Sequence, residues 1–146
     1  MNNNTNPILG SGGIHHVAVR TTDLDKAVAF YTQVLGMTTA AAFKLGDSRF
    51  VHLDTGDGSR LELVDDGRPT TPADERNVHW HLCLGTNRLP QVVEAVQAAG
   101  YEVTMPVTKM DLSNTANGSP EPMPISIAFF IGPSGEVVEL LQDGQS

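Results

Sequence analysis

The chain has few of the residues that many kinds of functional site require. Its 146 residues include one cysteine, Cys83, so it can form neither an intramolecular disulfide nor a CxxC zinc or redox site. We interpret Cys83 as a small buried residue. Apolar runs do not exceed five residues, whereas a membrane-spanning helix needs roughly 20. Nucleophile-elbow, Walker, HExxH and G-x-G-x-x-G patterns are absent from the sequence, which leaves hydrolase, NTPase, zincin and dinucleotide-binding functions without support.

Basic residues are also scarce. Nine Lys and Arg against 17 Asp and Glu give a formal net charge of -8, which repels nucleic acid and anionic membrane surfaces alike. We therefore expect a small-molecule partner and neither nucleic acid nor a membrane. Residues 1–12 are rich in Asn and Gly and lack the basic and apolar regions of a signal peptide. They are expected to form a flexible tail ahead of a single domain at 13–146, located in the cytoplasm.

The chain contains an internal repeat in which each copy begins with a strand and a helix. Apolar patterning marks the strands, which we predict at residues 14–20, 49–54 and 59–64 in the first copy and 78–84 in the second. Apolar residues at helical spacing predict one helix from Leu24 to Leu35 and another that begins near Pro90. The copies define two βαββ-type modules, at about residues 13–67 and 77–144.

Direct alignment of the two copies supports the repeat and locates an insertion. At an offset of 77 residues, segment 62–67 matches segment 139–144 at four of six positions. Near the module starts the offset is 65, so the second copy carries twelve extra residues (77 minus 65). We place them within 105–124, where several prolines argue against a helix or a central strand. This predicts a loop that is either an active-site lid or disordered.

The same two residue types occupy one face of each copy. Alternate side chains of a strand point to opposite faces, so the apolar neighbours of His16 and Glu62 direct these two residues away from the helices. His81 and Glu139 stand at the matching places in the second copy. If the sheets join face to face, two imidazoles and two carboxylates converge on one divalent ion. Zinc, nickel, cobalt, manganese and iron(II) all accept these ligands, so the metal is left open.

Further histidines bear on the same site. His79 shares a face with His81 and is the main rival ligand, whereas His15 is a poorer candidate because it lies on the opposite face from His16. His52 is a neighbour whose orientation the sequence leaves undecided. The alternative is a structural role for all of them, because Glu alternating with Leu is common on a solvated strand and a strand histidine is commonly a satisfied core or surface residue.

The sequence resembles the vicinal oxygen chelate superfamily, in particular its glyoxalase I-like branch. The resemblance spans roughly residues 13–142 and rests on the segments HVAVRTTDL (16–24), FYTQVLGM (30–37), LEL (61–63), GPSG (132–135) and VEL (138–140). It implies an α+β fold in which two βαβββ modules form an open, cup-shaped sheet around a divalent metal ion. The ligand positions fall on His16, Glu62, His81 and Glu139. Family members often assemble the cup across a dimer interface, so a homodimer is expected.

The resemblance also implies a metal-dependent lyase or isomerase. Glu139 would abstract the proton next to a carbonyl on a small metabolite or thiol adduct, the metal would stabilise the enediolate, and Glu62 would serve as ligand and second proton carrier. Arg20 matches the family position that holds a substrate carboxylate. The alternative is an exposed arginine at the end of a strand with no role toward substrate. Asp66 and the segment before His81 depart from the pattern of glutathione-using relatives, which argues against a glutathione adduct as substrate.

Three other functions share this fold. An extradiol dioxygenase needs open positions on iron(II), and a fourth ligand at Glu62 would fill one of them. An epimerase of the methylmalonyl-CoA type usually has Gln at that position and holds a polyanionic carrier, which the net charge of -8 disfavours. A drug- or metabolite-binding protein of the bleomycin-resistance kind uses the cup without metal and lacks the full ligand set.

Overall fold

The computed structural model describes residues 7–8, 14–71, 79–115 and 118–144. Each module has the order βαβββ, so the α+β fold class is confirmed and each module has one strand more than the repeat indicated. The first module comprises β1 (His16–Arg20), α1 (Leu24–Ala29), a π-helical turn (Phe30–Val34), β2 (Thr38–Leu45), β3 (Ser48–Asp54) and β4 (Arg60–Asp65). The second comprises β5 (Leu82–Gly85), α2 (Leu89–Ala98), β6 (Val103–Asn114), β7 (Glu121–Ile131) and β8 (Val137–Asp143).

Each module forms an open four-stranded sheet. The strand orders are β1-β4-β3-β2 and β5-β8-β7-β6, and in both sheets the first strand runs parallel to the last while the remaining pairs are antiparallel. A parallel pair requires a crossover connection, which includes the module's helix. The two sheets therefore have the same topology. Residues that correspond in the sequence repeat lie at equivalent positions in the two sheets. None of the helices in the described ranges is long and apolar enough to cross a membrane.

Helix α1 begins and ends at signals present in the sequence. The Asp23 carboxylate accepts a hydrogen bond from the backbone N–H of Lys26 at 3.1 Å, which satisfies a donor of the first turn. After the π-helical turn, Gly36 adopts a φ of +73°, a left-handed conformation that ends the helical segment. The buried side of this segment includes Phe30 and Tyr31.

Both modules contribute to one hydrophobic core. Leu24 of α1 and Leu89 of α2 occupy the same place in the repeat, and both are buried in this core. The ring of Phe30 lies 4.4 Å from that of Tyr101 and 5.8 Å from that of Phe130, between ring centroids. The leucines and valine that flank Glu62 and Glu139 are buried in the same core; they are Leu61, Leu63, Val138 and Leu140. The repeated carboxylates consequently face away from it.

The loop expected at 105–124 is instead most of a long hairpin formed by β6 and β7, so that prediction is wrong. Its prolines occupy positions at which a strand can do without a backbone N–H donor. Pro106 lies at an irregularity in β6, an edge strand, where the register shifts between Met105 and Thr108. Pro122 and Pro124 precede Ile125, the first residue of β7 that pairs with β8. That part of β7 has β6 as its strand partner.

Other strand predictions also needed correction. Strand β2 was missed because this edge strand is largely Thr and Ala, is mostly exposed, and shows no alternation of apolar and polar residues. The strand predicted at 78–84 begins at Leu82, and residue 78 lies outside the described residues. The first strand begins at His16. Most of the tail predicted at 1–12 also lies outside the described residues, and the domain boundaries stay predictions.

Candidate metal centre

The first His–Glu pair is built where β1 runs beside β4. In this parallel register Ala18 lies opposite Glu62, and His16 lies two residues earlier on the same face. His16 Nε2 is 3.9 Å from Glu62 Oε2. The Glu62 side chain is 13% exposed, whereas that of His16 is 39% exposed. The pair thus combines a largely desolvated carboxylate with an accessible imidazole.

His52 joins this pair from strand β3. The β3–β4 hairpin places it directly opposite Glu62, and its Nε2 lies 2.6 Å from Glu62 Oε2. The ligand atoms of His16, His52 and Glu62 all lie within 4.8 Å of one another. Sequence reasoning had left His52 undecided. The signal was available, because a hairpin centred on Asp57 pairs residues whose numbers sum to 114, and 52 plus 62 is 114.

The interpretation of His15 as a residue of the opposite face is wrong. His15 precedes β1, so the alternation of strand side chains does not govern its direction. Its Nδ1 lies 2.9 Å from Nδ1 of His16, and its ring centroid lies 6.1 Å from that of His52. The contact engages Nδ1 of His16, and Nε2 is the nitrogen that faces Glu62.

The second pair repeats this arrangement in the other sheet. Cys83 lies opposite Glu139 in the β5–β8 register, as Ala18 does opposite Glu62, and His81 precedes Cys83 by two residues. His81 Nε2 is 2.8 Å from Glu139 Oε2. Within the described ranges, the buried Nδ1 of His81 has no hydrogen-bond partner. In place of His52, the second copy has Phe129, which lies opposite Glu139.

Cys83 is exposed, so its interpretation as a buried residue is wrong. It lies on the face that carries Glu139, and this face does not contribute to the core. Partial burial, followed by the charge of Glu139 and a hydrogen bond to it, raises the pKa of the Cys83 thiol to about 11. The thiol is therefore protonated at neutral pH and is a weak metal ligand.

A cavity of about 830 Å³ connects the two modules. Its lining includes His16, Arg20, His79, His81 and Glu136. His16 and His81 therefore line the same cavity. His81 and Glu139 are not part of the cluster of His16, His52 and Glu62, whose ligand atoms lie within 4.8 Å of one another. The structure places the four predicted ligands as two pairs, and their convergence on one ion stays a prediction.

Arg20 is engaged by an acidic neighbour. Its Nε donates to both carboxylate oxygens of Asp66, at 3.2 and 3.1 Å, and Nε of Arg68 lies 3.6 Å from the same carboxylate. Two guanidinium groups thus share one carboxylate. The role of Arg20 toward a substrate stays a prediction.

A partly buried pair that sequence reasoning missed joins the modules at the cavity wall. The hydroxyl of Tyr31 donates to Oε1 of Glu136 at 2.6 Å, and the backbone N–H of Ser134 donates to Oε2 at 2.8 Å. Burial raises the pKa of Glu136 and outweighs these hydrogen bonds, which lower it. Burial, followed by the charge of Glu136, raises the pKa of Tyr31. The repeat gave no signal here, because the residue 77 positions before Glu136 is Ser59.

The raised pKa of Glu136 predicts a distinct pH dependence of stability. The folded chain binds this proton more tightly than the unfolded chain, so the contribution of Glu136 to the free energy of unfolding falls as pH rises from about 4.5 through the folded pKa. Glu136→Gln removes that contribution, and urea unfolding at several pH values should show the variant gaining stability relative to wild type across this window. The exposed Glu102→Gln serves as control. The prediction would be contradicted if the free energies of unfolding of wild type and Glu136→Gln changed with pH in parallel.

The donor set suits a divalent ion of intermediate softness. Two imidazoles and two carboxylates match zinc and other first-row metals, and two carboxylates balance a charge of +2. Two observations are consistent with metal binding. The buried Nδ1 of His81 has no hydrogen-bond partner among the described residues. The ligand atoms of His16, His52 and Glu62 lie close together. The residues present therefore fit a metal ion of the predicted kind.

This architecture, with paired βαβββ modules that carry repeated His and Glu side chains, defines a class of cup-shaped proteins. The model of the Glyoxalase/Bleomycin resistance protein/Dioxygenase superfamily matches residues 13–140. The chain belongs to this family.

Similar proteins include two named as probable lactoylglutathione lyases. A probable lactoylglutathione lyase of Vibrio parahaemolyticus is 27% identical over 143 residues, which cover 94% of this chain and 96% of that protein. A probable lactoylglutathione lyase of Vibrio cholerae is 28% identical over 142 residues, which cover 91% and 92% of the two chains.

Solved structures share the fold at lower identity. Glyoxalase I of Leishmania major, described as trypanothione-dependent, has a TM-score of 0.66 at 23% identity over 90% of this chain and 87% of that one. A glyoxylase/bleomycin resistance protein/dioxygenase domain from Frankia sp. has a TM-score of 0.73 at 21% identity over 91% and 98%. These likenesses support the fold alone.

Proposed function

We propose that the chain is a divalent-metal-dependent lyase of the glyoxalase I type, acting on a small 2-oxoaldehyde carried as a thiol adduct. One observation carries the proposal. The two sheets place a His–Glu pair at the same register of their parallel strands, His16 with Glu62 and His81 with Glu139. The names of the Vibrio relatives, both probable lactoylglutathione lyases, support this class of reaction.

His16, Glu62, His81 and Glu139 would hold the ion. When bound, it would polarise the substrate oxygens and stabilise negative charge that develops on them during proton transfer. A homodimer accounts for the arrangement of ligands as two pairs, since each ion can then receive one pair from each copy. Exposed apolar side chains on both modules, among them Val17, Phe43, Trp80 and Leu112, supply surface for such an interface.

Glu139 is proposed as the base that removes the proton next to the carbonyl and returns it to the neighbouring carbon. Its side chain is 13% exposed, so its carboxylate is largely shielded from water. Its near neighbours are His81 at 2.8 Å and the thiol of Cys83, which is protonated at neutral pH.

Arg20 is proposed to bind a carboxylate of the substrate. Its guanidinium lies at the cavity and can make a bidentate contact once it is shared with, or released from, Asp66. Arg68 remains beside Asp66 at 3.6 Å, so the displaced carboxylate keeps a cationic partner. The carrier thiol is left open, because Arg20 receives a glutathione carboxylate only if it is shared with, or released from, Asp66.

Metal analysis tests this proposal directly. Wild type, reconstituted with zinc or cobalt, is expected to hold about one ion per chain, and His16→Ala is expected to lose most of it because one of four ligands is gone. His79→Ala is the matched control, since His79 lines the same cavity and lies outside both pairs. Elemental analysis after removal of free metal gives the number of metal ions per chain.

Two results would contradict it. Loss of metal in His79→Ala and retention in His16→Ala would move the ligand role to His79. Absence of bound metal in reconstituted wild type would leave a binding protein of the bleomycin-resistance kind, in which the four residues have structural roles.

A further inference from the structure

The two copies of the repeat differ at the position that faces the glutamate. His52 lies opposite Glu62 in the first sheet, and Phe129 lies opposite Glu139 in the second. The two positions are 77 residues apart, which is the repeat offset for these strands. In the antiparallel pairs, Glu62 therefore faces a hydrogen-bonding side chain and Glu139 faces an apolar ring. In the parallel pairs, Glu62 faces Ala18 and Glu139 faces Cys83.

The contacts of His52 determine which ring nitrogen carries the proton. Arg60 Nη1 lies 3.4 Å from His52 Nδ1, and a guanidinium can only donate, so Nδ1 is the acceptor. The proton of the neutral ring is then on Nε2, which lies 2.6 Å from Glu62 Oε2 and donates to it. His52 is 7% exposed, so water competes little for this hydrogen bond.

We propose that His52 is a positioning residue that holds the Glu62 carboxylate as a fixed metal ligand, an inference that rests on the proposed function. Carboxylates that bind metals are commonly oriented by a hydrogen bond to the oxygen that does not bind the ion, or to a shared oxygen. His52 supplies this bond to Glu62, whereas Phe129 cannot supply it to Glu139. The asymmetry assigns different tasks to two glutamates that the repeat makes equivalent. Glu62 is held by a donor on β3, whereas Glu139 has no such donor on β7 and keeps its contacts with His81 and Cys83.

The alternative, in which His52 itself binds the ion through Nε2, conflicts with Arg60. Ligation requires a lone pair on Nε2, so the ring proton would have to move to Nδ1. Two hydrogen-bond donors, Nδ1 of His52 and the Arg60 guanidinium, would then face each other. The hydrogen bond to Glu62 would also be lost. The positioning role satisfies both nitrogens at once.

Cobalt titration of three variants separates the roles. His52→Phe copies the residue of the second sheet, and it is expected to weaken Co²⁺ binding by about 10- to 100-fold because Glu62 loses its orienting donor. His52→Gln places an amide N–H near the position of Nε2 and should restore most of that affinity. Glu94→Gln, at an exposed position of α2 that belongs to neither pair, is the control for a single substitution. Circular dichroism confirms that each variant is folded.

The positioning role is overturned if His52→Phe binds Co²⁺ as tightly as wild type. It is also overturned if folded His52→Gln is as weak as His52→Phe, since that result assigns ligation to the imidazole. A second measurement needs no metal. ¹⁵N NMR of metal-free wild type, with the His52 signals assigned by their absence in His52→Gln, should show the proton on Nε2. A proton on Nδ1 of His52 contradicts the inference. Failure of wild type to bind metal contradicts the proposed function, but the NMR measurement of the His52 proton can still be made because it uses metal-free protein.

Discussion

Glu139→Gln is expected to lower turnover by about 10²- to 10⁴-fold while the chain stays folded and, at saturating metal, loaded. The amide keeps the size of the side chain and one oxygen that can ligate weakly. It cannot accept a proton from carbon, so the general base is removed. Turnover is measured on the adducts that methylglyoxal forms with a panel of thiols, glutathione among them, at metal concentrations that saturate both proteins.

The control for this variant is Glu94→Gln, which changes an exposed glutamate of α2 that belongs to neither pair. It corrects for the loss of one negative charge. Equal turnover by Glu139→Gln and wild type would remove Glu139 from the role of base. Loss of metal together with turnover would show that Glu139 acts chiefly as a ligand.

Gly132→Ala is expected to reduce the free energy of unfolding by about 3–5 kcal/mol, from overpacking and the loss of hydrogen bonds to a partly buried carboxyl group. A Cβ at Gly132 would overlap the Oε1 and Cδ atoms of Glu136 and would lie 2.9 Å from its Cγ. The carboxyl group cannot move aside at low cost, because Tyr31 and the Ser134 backbone hold its two oxygens. Unfolding in denaturant, monitored by circular dichroism, gives the difference in free energy of unfolding between wild type and Gly132→Ala.

Gly85→Ala is the matched control for that substitution. A Cβ at Gly85 has no neighbour within 4 Å, and neither Gly85 nor Gly132 has a positive φ, so both variants add a methyl group without backbone strain. Gly85→Ala should change stability by about 0.5 kcal/mol or less. Similar losses in the two variants would show that contact with Glu136 is not the cause.

Periodicity and the repeat were enough to predict much of the framework. Helix α1 could be predicted because its capping residue, apolar spacing and terminal glycine are local features. The outward direction of Glu62 and Glu139 followed from their leucine and valine neighbours, which are buried as expected. The hairpin at 105–124 could not be predicted from its prolines, because their cost depends on whether a neighbouring strand needs the missing donor.

The sequence by itself determined the duplicated module, the matching His–Glu positions and the face on which the glutamates lie, since strand alternation and repetition are properties of residue order. Tertiary structure alone decided which side chains meet across elements. It paired Tyr31 with Glu136, turned His15 toward His16 and exposed Cys83. Such contacts depend on strand register and on where each strand begins, and a shift of one residue reverses the face of every side chain.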